Sequence, residues 1–271
     1  MVIPAYNEEE RLSATLRDVF DFLHCQAYLW EVIVVDDGSS DRTAEVACPG
    51  NTNGSSRVLS RRQNGGKGAA TRDGIMAAKG EFILLMDADN SARITELPKL
   101  LEAARGGATM AIGSRYATGA NIEVRQPIHR VVISRIGNRL IQWSVLPGIK
   151  DTQCGFKLLP QSPAIEIAEK LTRNRFSFDI ELLVMATMVG LEVVECPINW
   201  KNHPDTKLRV FRSSIELLRD LAWIRTRYGP SSHRAKSVVS RSKALEPNPR
   251  FGVRPKPDRV IDSGRGANRA E

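Results

Sequence analysis

The sequence predicts an α/β protein in which helices cover both faces of a mostly parallel sheet. Two observations lead to this fold class. Short apolar runs rich in β-branched residues, which are typical of buried strands, alternate in the first half of the chain with segments whose apolar residues recur at helical spacing. A chain that passes from strand to helix and back builds a parallel sheet, because each helical crossover returns it to the same end of the sheet.

The elements can be placed in order along the chain. Strands are predicted at Met1–Pro4, Trp30–Val35, Arg57–Ser60, Glu81–Met86 and Ala108–Gly113. Helices are predicted between and after these strands, at Arg11–Leu23, Asp41–Val46, Gly68–Ala78 and Ile94–Ala104. In the second half we expect mainly helices, with one strand at Leu191–Cys196 and helices at Ile128–Leu146, Phe178–Val189 and Ser213–Tyr228.

Length and charge predict one domain followed by a tail. The 271 residues suit a single domain, which we place at residues 1–228. The net charge is +8, and residues 229–271 contribute most of it, with ten Lys and Arg against four Asp and Glu. This segment is rich in Pro, Ser, Gly and Arg, so we expect a disordered basic tail. Its role stays open between a solubilising segment and attraction to an anionic membrane, at about 1 kcal/mol per basic residue.

Cysteine use and hydropathy indicate the compartment. The four cysteines form no C-x-x-C pair and no zinc-site spacing, which favours reduced thiols in the cytosol. No run reaches the about 18 consecutive apolar residues of a spanning helix, and Met1–Tyr6 lacks the features of a signal peptide. We therefore expect a cytoplasmic protein without a transmembrane segment.

An acidic motif, Asp87-Ala88-Asp89, directly follows a predicted buried strand. In parallel sheets ligands bind beyond the carboxyl ends of the strands, where this motif must lie. Two carboxylates there suit Mg²⁺ or Mn²⁺, which prefer oxygen ligands and commonly bridge protein carboxylates to phosphates. The alternative is a structural turn in which one aspartate caps the next helix.

Two further motifs lie at predicted strand ends. Asp36-Asp37 ends the second strand, where a carboxylate can accept from a base or a ribose, although a tight turn explains the same residues. Asn64–Gly68 is rich in glycine and precedes a helix, so Lys67 can meet a phosphate or a base edge. It is not an ATPase loop, because Ala69 stands where a metal-binding hydroxyl is needed.

These motifs, in this order and spacing, resemble family 2 glycosyltransferases of the GT-A fold. The motifs are Pro4–Glu9, Asp36–Ser39, Gly66–Gly68 and Asp87–Asp89. Later segments narrow the resemblance to the dolichyl-phosphate β-glucosyltransferases and their bacterial polyprenyl-phosphate counterparts. These segments are Gly113–Arg115, Asp151–Lys157, Arg175–Leu183 and Pro197–Trp200. One departure is Asn90, which stands where the eukaryotic enzymes usually have Gly.

The resemblance implies roles for individual residues. It divides the domain into a nucleotide-binding half at 1–115 and an acceptor half at 116–228. It places the nucleotide sugar on Pro4, Tyr6, Glu8, Asp36, Asp37, Lys67, Asp87 and Asp89, with Mg²⁺ or Mn²⁺ on Asp87 and Asp89. It assigns catalysis to Arg115, Asp89, Asp151 and Gln153, and puts Glu181 on the sugar and acceptor side. The resemblance also puts Lys157 and Arg175 on the acceptor side, where the acceptor phosphate is expected. Arg130 and Arg135 are added to this set from the residues themselves, because the amphipathic segment Ile128–Trp143 combines arginines that can bind phosphate with an apolar face that can lie at a membrane. The alternative for this segment is an ordinary helix packed on the core.

The implied reaction is inverting transfer of glucose from UDP-glucose to a polyprenyl phosphate at the cytosolic membrane face. The expected partners are a UDP-sugar, the lipid phosphate and the membrane surface, with a homo-oligomer as a further expectation. Two alternatives within the family stay open: another donor, such as GDP-mannose or UDP-GlcNAc, and a polysaccharide acceptor. A nucleic-acid binder is the remote alternative suggested by the basic composition, although the basic residues concentrate in the tail and we expect no specific nucleic acid.

Overall fold

The computed structural model describes residues 1–48, 56–106, 109–123, 128–175, 177–201 and 210–229. In the helices that begin at residues 128 and 210, the side chains are described from residues 134 and 216 onward. Seven of its strands form one sheet in the order β3-β2-β1-β4-β7-β5-β8. They are β1 (Val2–Ala5), β2 (Val32–Asp36), β3 (Ser56–Ser60), β4 (Phe82–Leu85), β5 (Thr109–Ser114), β7 (Lys157–Pro160) and β8 (Glu192–Pro197). A small second sheet pairs β6 (Asn121–Ile122) with β9 (Asn199–Trp200).

The sheet is mostly parallel, as predicted, with one reversed strand. β1 pairs in parallel with β2 and β4, and β5 pairs in parallel with β8. β7 runs antiparallel between β4 and β5 and joins the two parallel sets. The sequence did not predict β7, which comes from the second half of the chain and lies between two strands of the first. The two proposed halves therefore share one sheet.

Helices cover both faces of this sheet. Successive strand residues point to opposite sides, so each face of the sheet carries apolar side chains that the helices bury. Val2 belongs to the apolar cluster on one face and Ile3 to the cluster on the other. The face of Ile3 packs against α1 (Glu9–Leu23) and α4 (Leu97–Ala103). The face of Val2 packs against α3 (Lys67–Ala77), α5 (Ile128–Ser144), α6 (Gln161–Lys170), α7 (Phe178–Met188) and α8 (Val210–Tyr228).

Most predicted elements are present with shifted ends. The strand expected at Trp30–Val35 is Val32–Asp36, so it includes the first acid of the Asp36-Asp37 pair. The helix expected at Asp41–Val46 is α2 (Thr43–Ala47). The helix expected at Ile94–Ala104 is α4 with a 3-10 turn at each end. Helix α6 was not predicted, and the predicted tail beyond residue 229 lies outside the described residues.

Among the described residues, no helix is both long enough and apolar enough to cross a bilayer.

Candidate active site

Four residues predicted from the sequence lie at the end of the sheet where its parallel strands finish: Asp36, Asp87, Arg115 and Lys157. β2 ends at Asp36, Asp87 follows β4, and Arg115 follows β5. β7 runs in the opposite direction, so its first residue, Lys157, lies at the edge where these parallel strands end. The reversal is what brings the segment before β7 next to the Asp87 motif.

Asp87 and Asp89 keep part of their carboxylate surface accessible. The Asp87 side chain is 35% exposed, and its Oδ1 lies 2.6 Å from Lys67 Nζ. Asp89 is half-buried, and its Oδ1 accepts the Ser91 N–H at 3.0 Å. Between this motif and Ser91, Asn90 has a φ of 54°, in the left-handed region that favours Gly and tolerates Asn. The backbone explains why Asn can replace the family's usual Gly at this position.

The donor set at this motif fits a divalent cation. Among the described residues, no group of three or more His, Cys, Asp and Glu side chains forms a complete metal site. Asp87 and Asp89 offer two carboxylates. Among the described residues, Oδ1 of Asp89 accepts a hydrogen bond and its Oδ2 has no protein donor. One or two carboxylates completed by phosphate oxygens and water is a common shell for Mg²⁺.

Lys67 is the first residue of α3, and its side chain points to this motif. Its ammonium also lies 3.8 Å from Asp179 Oδ2 and 5.6 Å from the centre of the Phe178 ring. Burial lowers the pKa of Lys67, but the charges of Asp87 and Asp179 outweigh this effect and raise it above its usual value. Lys67 therefore keeps its positive charge within the site.

Asp36 and Asp37 are both buried against the protein. Asp37 is 2% exposed, and its carboxylate accepts the N–H groups of Gly65 at 2.9 Å and Gly66 at 2.7 Å. Arg61 forms an ion pair with the same carboxylate at 2.9 Å. Asp36 accepts the Ser39 N–H at 3.1 Å. Asp37 therefore holds the glycine loop before Lys67 in place, and the predicted contact with the base stays a prediction.

The first motif lies next to this loop. Pro4 is within β1, opposite Val35 of β2. Tyr6 follows β1 and is 45% exposed, so its ring is accessible to a ligand. The Glu8 carboxylate accepts from Arg11 at 2.6 and 2.7 Å, which turns it toward the protein. The nucleoside roles of Pro4, Tyr6 and Glu8 stay predictions.

Asp151 and Arg115 form a buried, two-armed ion pair. Nη2 of Arg115 donates to Oδ1 at 2.7 Å, and its Nε donates to Oδ2 at 2.8 Å. Asp151 is 0% exposed. Burial raises its pKa, but the Arg115 guanidinium and its hydrogen bonds prevail and hold the pKa below its usual range. With both oxygens occupied, Asp151 orients Arg115, whose guanidinium lies 5.3 Å from the Trp200 ring centre.

The predicted acceptor-phosphate residues do not form one cluster. Lys157 is 0% exposed, and its ammonium binds Asp179 and the Cys154 carbonyl. This ammonium already has protein partners, and its expected contact with the acceptor phosphate stays a prediction. Arg175 is exposed and pairs with Glu216 at 3.6 Å. Arg135 and Gln153 are exposed, and the side chain of Arg130 lies outside the described residues.

Glu181 supports the site from beneath. It is 0% exposed, and its Oε2 accepts the N–H groups of Thr172 at 2.9 Å and Arg173 at 2.7 Å. Its Oε1 accepts the Tyr228 hydroxyl at 2.9 Å. The next residue along, Asn174, accepts the Gly68 N–H at 2.8 Å. Glu181 therefore fixes a backbone segment against α3, and its expected place on the sugar and acceptor side stays a prediction.

Three functional positions were not assigned from the sequence. Asp179 binds both lysines of the site, and Glu195 accepts the N–H groups of Lys150 and Asp151 at 2.9 Å. Gly155 lies directly under the Asp87 carboxylate: a Cβ at this position would be 2.1 Å from Oδ2. Asp179 and Gly155 belong to segments that carried the family resemblance, and this was the only signal for them.

Comparison with known proteins identifies the family of this chain. The model for glycosyl transferase family 2 matches residues 1–168. Dolichyl-phosphate beta-glucosyltransferase of Mus musculus is 34% identical over 252 residues, which cover 88% of this chain and 78% of that protein. The enzyme of that name from Saccharomyces cerevisiae is 31% identical over 248 residues, which cover 84% of this chain and 74% of that protein.

Solved structures share the fold at low sequence identity. Glucosyl-3-phosphoglycerate synthase from Mycobacterium tuberculosis, in complex with Mn²⁺, UDP and phosphoglyceric acid, has a TM-score of 0.61 at 16% identity, covering 84% of this chain and 78% of that one. S. aureus TarS in complex with UDP-GlcNAc has a TM-score of 0.54 at 17% identity, covering 82% and 65%. These likenesses confirm the predicted GT-A fold.

Proposed function

Because this chain belongs to glycosyl transferase family 2, we propose that it moves glucose from UDP-glucose to a polyprenyl phosphate, such as dolichyl or undecaprenyl phosphate. The observation that carries the proposal is the similarity, over most of the chain, to enzymes named for glucosyl transfer to dolichyl phosphate. The cluster of charged residues at the sheet edge supplies the groups that such a reaction needs.

On the donor side, Asp87 and Asp89 would hold Mg²⁺ or Mn²⁺, and the bound metal would supply positive charge to stabilise the leaving diphosphate. Lys67 provides a second positive charge beside these carboxylates. Arg115, oriented by Asp151, provides a third at the end of β5. Positive groups arranged in advance around a leaving group stabilise the charge that develops on it in the transition state.

On the acceptor side, the chemistry needs little help from a base. A phosphate monoester has a second pKa of about 6, so much of it is dianionic at neutral pH. One of its oxygens attacks the anomeric carbon and forms the new C–O bond, while the bond from that carbon to the diphosphate breaks and UDP leaves with the electron pair. A single in-line displacement of this kind inverts the configuration.

The lipid is proposed to lie against α5 and α8. Trp143 of α5 is 80% exposed and Ile136 is 56% exposed, and Leu218 of α8 is 55% exposed. The Arg225 guanidinium lies 5.6 Å from the centre of the Trp143 ring. Exposed apolar side chains beside basic ones are typical of surfaces that rest on an anionic membrane, and the expected peripheral membrane location depends on this surface.

The proposal is tested by incubating the protein with labelled UDP-glucose, Mg²⁺ or Mn²⁺, and a short polyprenyl phosphate. We expect label in the chloroform phase, and none when the acceptor is the corresponding polyprenol, which lacks the attacking phosphate. Label that stays in the aqueous phase in every case would refute lipid transfer. More product from labelled GDP-mannose than from UDP-glucose would overturn the proposed donor and leave the acceptor intact.

A further inference from the structure

Lys67 occupies the carboxylate that the metal is proposed to use. Its ammonium lies 2.6 Å from Oδ1 of Asp87. An ammonium at this distance already takes a lone pair that a divalent cation would need. In the structure, therefore, the protein neutralises its own metal ligand with a tethered charge.

The ammonium has a second partner that cannot leave. Asp179 Oδ2 lies 3.8 Å from Lys67 Nζ, and the other oxygen of Asp179 is bound by the fully buried Lys157. Asp179 is only 3% exposed and belongs to the packed helix α7. Lys67 thus lies between a carboxylate that is fixed and one that is accessible to ligand.

The surroundings allow the lysine side chain to move and little else. Gly66 is held by Asp37 at 2.7 Å, and Gly68 is held by the Asn174 carbonyl at 2.8 Å, so the backbone on both sides of Lys67 is fixed. Asp87 cannot move toward Gly155, because its Oδ2 already lies 2.1 Å from where a Cβ at that glycine would be. The flexible four-carbon stem of Lys67 is the mobile part.

Charge balance shows when the side chain would move. Immediately around the Lys67–Asp87 ion pair, Lys67, Arg115 and Lys157 carry three positive charges and Asp87, Asp89, Asp151 and Asp179 carry four negative ones, so this inner group of seven side chains has a net charge of −1. A divalent cation alone would make it positive and would meet the ammonium at Asp87. A nucleotide diphosphate that arrives with the cation restores the balance and offers the ammonium another anion.

We propose that Lys67 is an internal counter-ion that holds Asp87 until metal and nucleotide bind together, and then turns to the diphosphate. This inference rests on the proposed function and deepens it, because it makes metal binding depend on the nucleotide. Asp179 keeps the ammonium close during the exchange. The protein consequently binds metal alone weakly and binds metal with UDP tightly.

The test measures Mn²⁺ binding directly, by the electron paramagnetic resonance signal of free Mn²⁺, with and without UDP. In the wild-type protein we expect UDP to tighten Mn²⁺ binding by about tenfold or more, within the usual range of coupling between two sites. In Lys67→Met, which keeps the stem and removes the charge, Mn²⁺ alone should bind about tenfold more tightly and the effect of UDP should shrink. Lys67→Arg should restore the wild-type pattern.

The matched control is Lys170→Met. Lys170 is paired with Glu166 at 2.7 Å on an exposed helix surface, away from the site, and its replacement should change neither Mn²⁺ measurement. If Lys67→Met does not fold, as judged by its thermal unfolding, Lys67→Gln provides the neutral variant. Mn²⁺ that binds the neutral variant no more tightly than wild type would overturn this inference. A wild-type protein that binds no Mn²⁺ even with UDP would instead overturn the metal site of the proposed function.

Discussion

Two pairs of carboxylates at the site, Asp87 with Asp89 from the first half of the chain and Asp151 with Glu195 from the second, are used in opposite ways. Asp87 and Asp89 are partly exposed and make few contacts with protein groups. Asp151 and Glu195 are 0% and 4% exposed, and both oxygens of each accept from a guanidinium or from backbone N–H groups. The first pair has carboxylate oxygens that can still bind a ligand, whereas every carboxylate oxygen of the second pair already accepts a hydrogen bond from the protein.

This difference shows that an acidic residue at the site can either bind a ligand or support the protein structure. Both pairs lie at the same end of the sheet, but only Asp87, Asp89 and Asp151 were predicted from the sequence to be functional, and Glu195 was not. The open pair can take part in binding and chemistry, while the closed pair decides where Arg115 and the segment before β7 are held. Substitutions should separate the two kinds, because one kind should change activity and the other stability.

The largest effect is expected from Asp151→Asn, which leaves the buried Arg115 guanidinium without its counter-charge. Removing one partner of a buried ion pair costs about 3–5 kcal/mol of unfolding free energy. Urea denaturation measures this loss. The matched control is Glu166→Gln, whose ion pair with Lys170 at 2.7 Å is more than half exposed and should contribute no more than about 1 kcal/mol. Equal losses for the two variants would contradict the assignment of Asp151 to the closed pair.

The next effect is expected from Asp89→Asn, which removes a charge from the open pair. The initial rate of glucosyl transfer should fall about 10²–10³-fold, the usual effect of losing one electrostatic group in an active site. The unfolding free energy should stay within about 1 kcal/mol of the wild-type value, as for surface substitutions. A fully active variant would refute the metal role.

Asp18→Asn is the control for that variant. Asp18 accepts a hydrogen bond from the Asn90 amide at 2.7 Å, so it touches the same turn without belonging to the site. Its replacement should leave the rate close to wild type.

A smaller effect is expected from Gly155→Ala, which links the two kinds of carboxylate. The new methyl would meet Asp87 at 2.1 Å and push its carboxylate away from its present position. We expect Mn²⁺ in the presence of UDP to bind about tenfold more weakly, in line with the effect of disturbing the support of a metal ligand.

The control for this variant is Gly137→Ala within α5, where the nearest atom outside the helix is 3.7 Å from the added Cβ. It should leave Mn²⁺ binding unchanged and stabilise the helix by about 0.5–1 kcal/mol. If Gly155→Ala binds Mn²⁺ as the wild type does, the contact with Asp87 does not position the ligand.

The sequence predicted the parallel part of the fold because its signals are local. Runs such as Val32–Asp36 and Phe82–Leu85 are apolar and lie between segments with helical spacing. β7 has no such signal: its four residues begin with Lys and end with Pro. It is a strand because it pairs with β4 and β5, which are distant in the chain. Tertiary pairing of this kind is invisible to local patterns.

The site was predictable in its members more than in their roles. The resemblance selected Asp87, Asp89, Arg115 and Asp151, and the structure brings them to one edge of the sheet. It also selected Lys157 for a phosphate, but the burial of Lys157 against Asp179 depends on how α7 packs, which no motif records. The reason for Gly155 was hidden likewise, since the atoms that exclude a side chain there belong to Asp87.

The reversed strand β7 has a consequence for how the chain folds during synthesis. Before residues 157–160 emerge from the ribosome, β4 has one open side, and β5 has no partner among the described strands, since it pairs only with β7 and β8. Open strand edges invite pairing between chains. A nascent chain, or a fragment ending at residue 115, therefore has one unpaired side on β4 and two on β5, which only the later strands β7 and β8 can pair. We expect such a chain to be prone to aggregate until these strands are added.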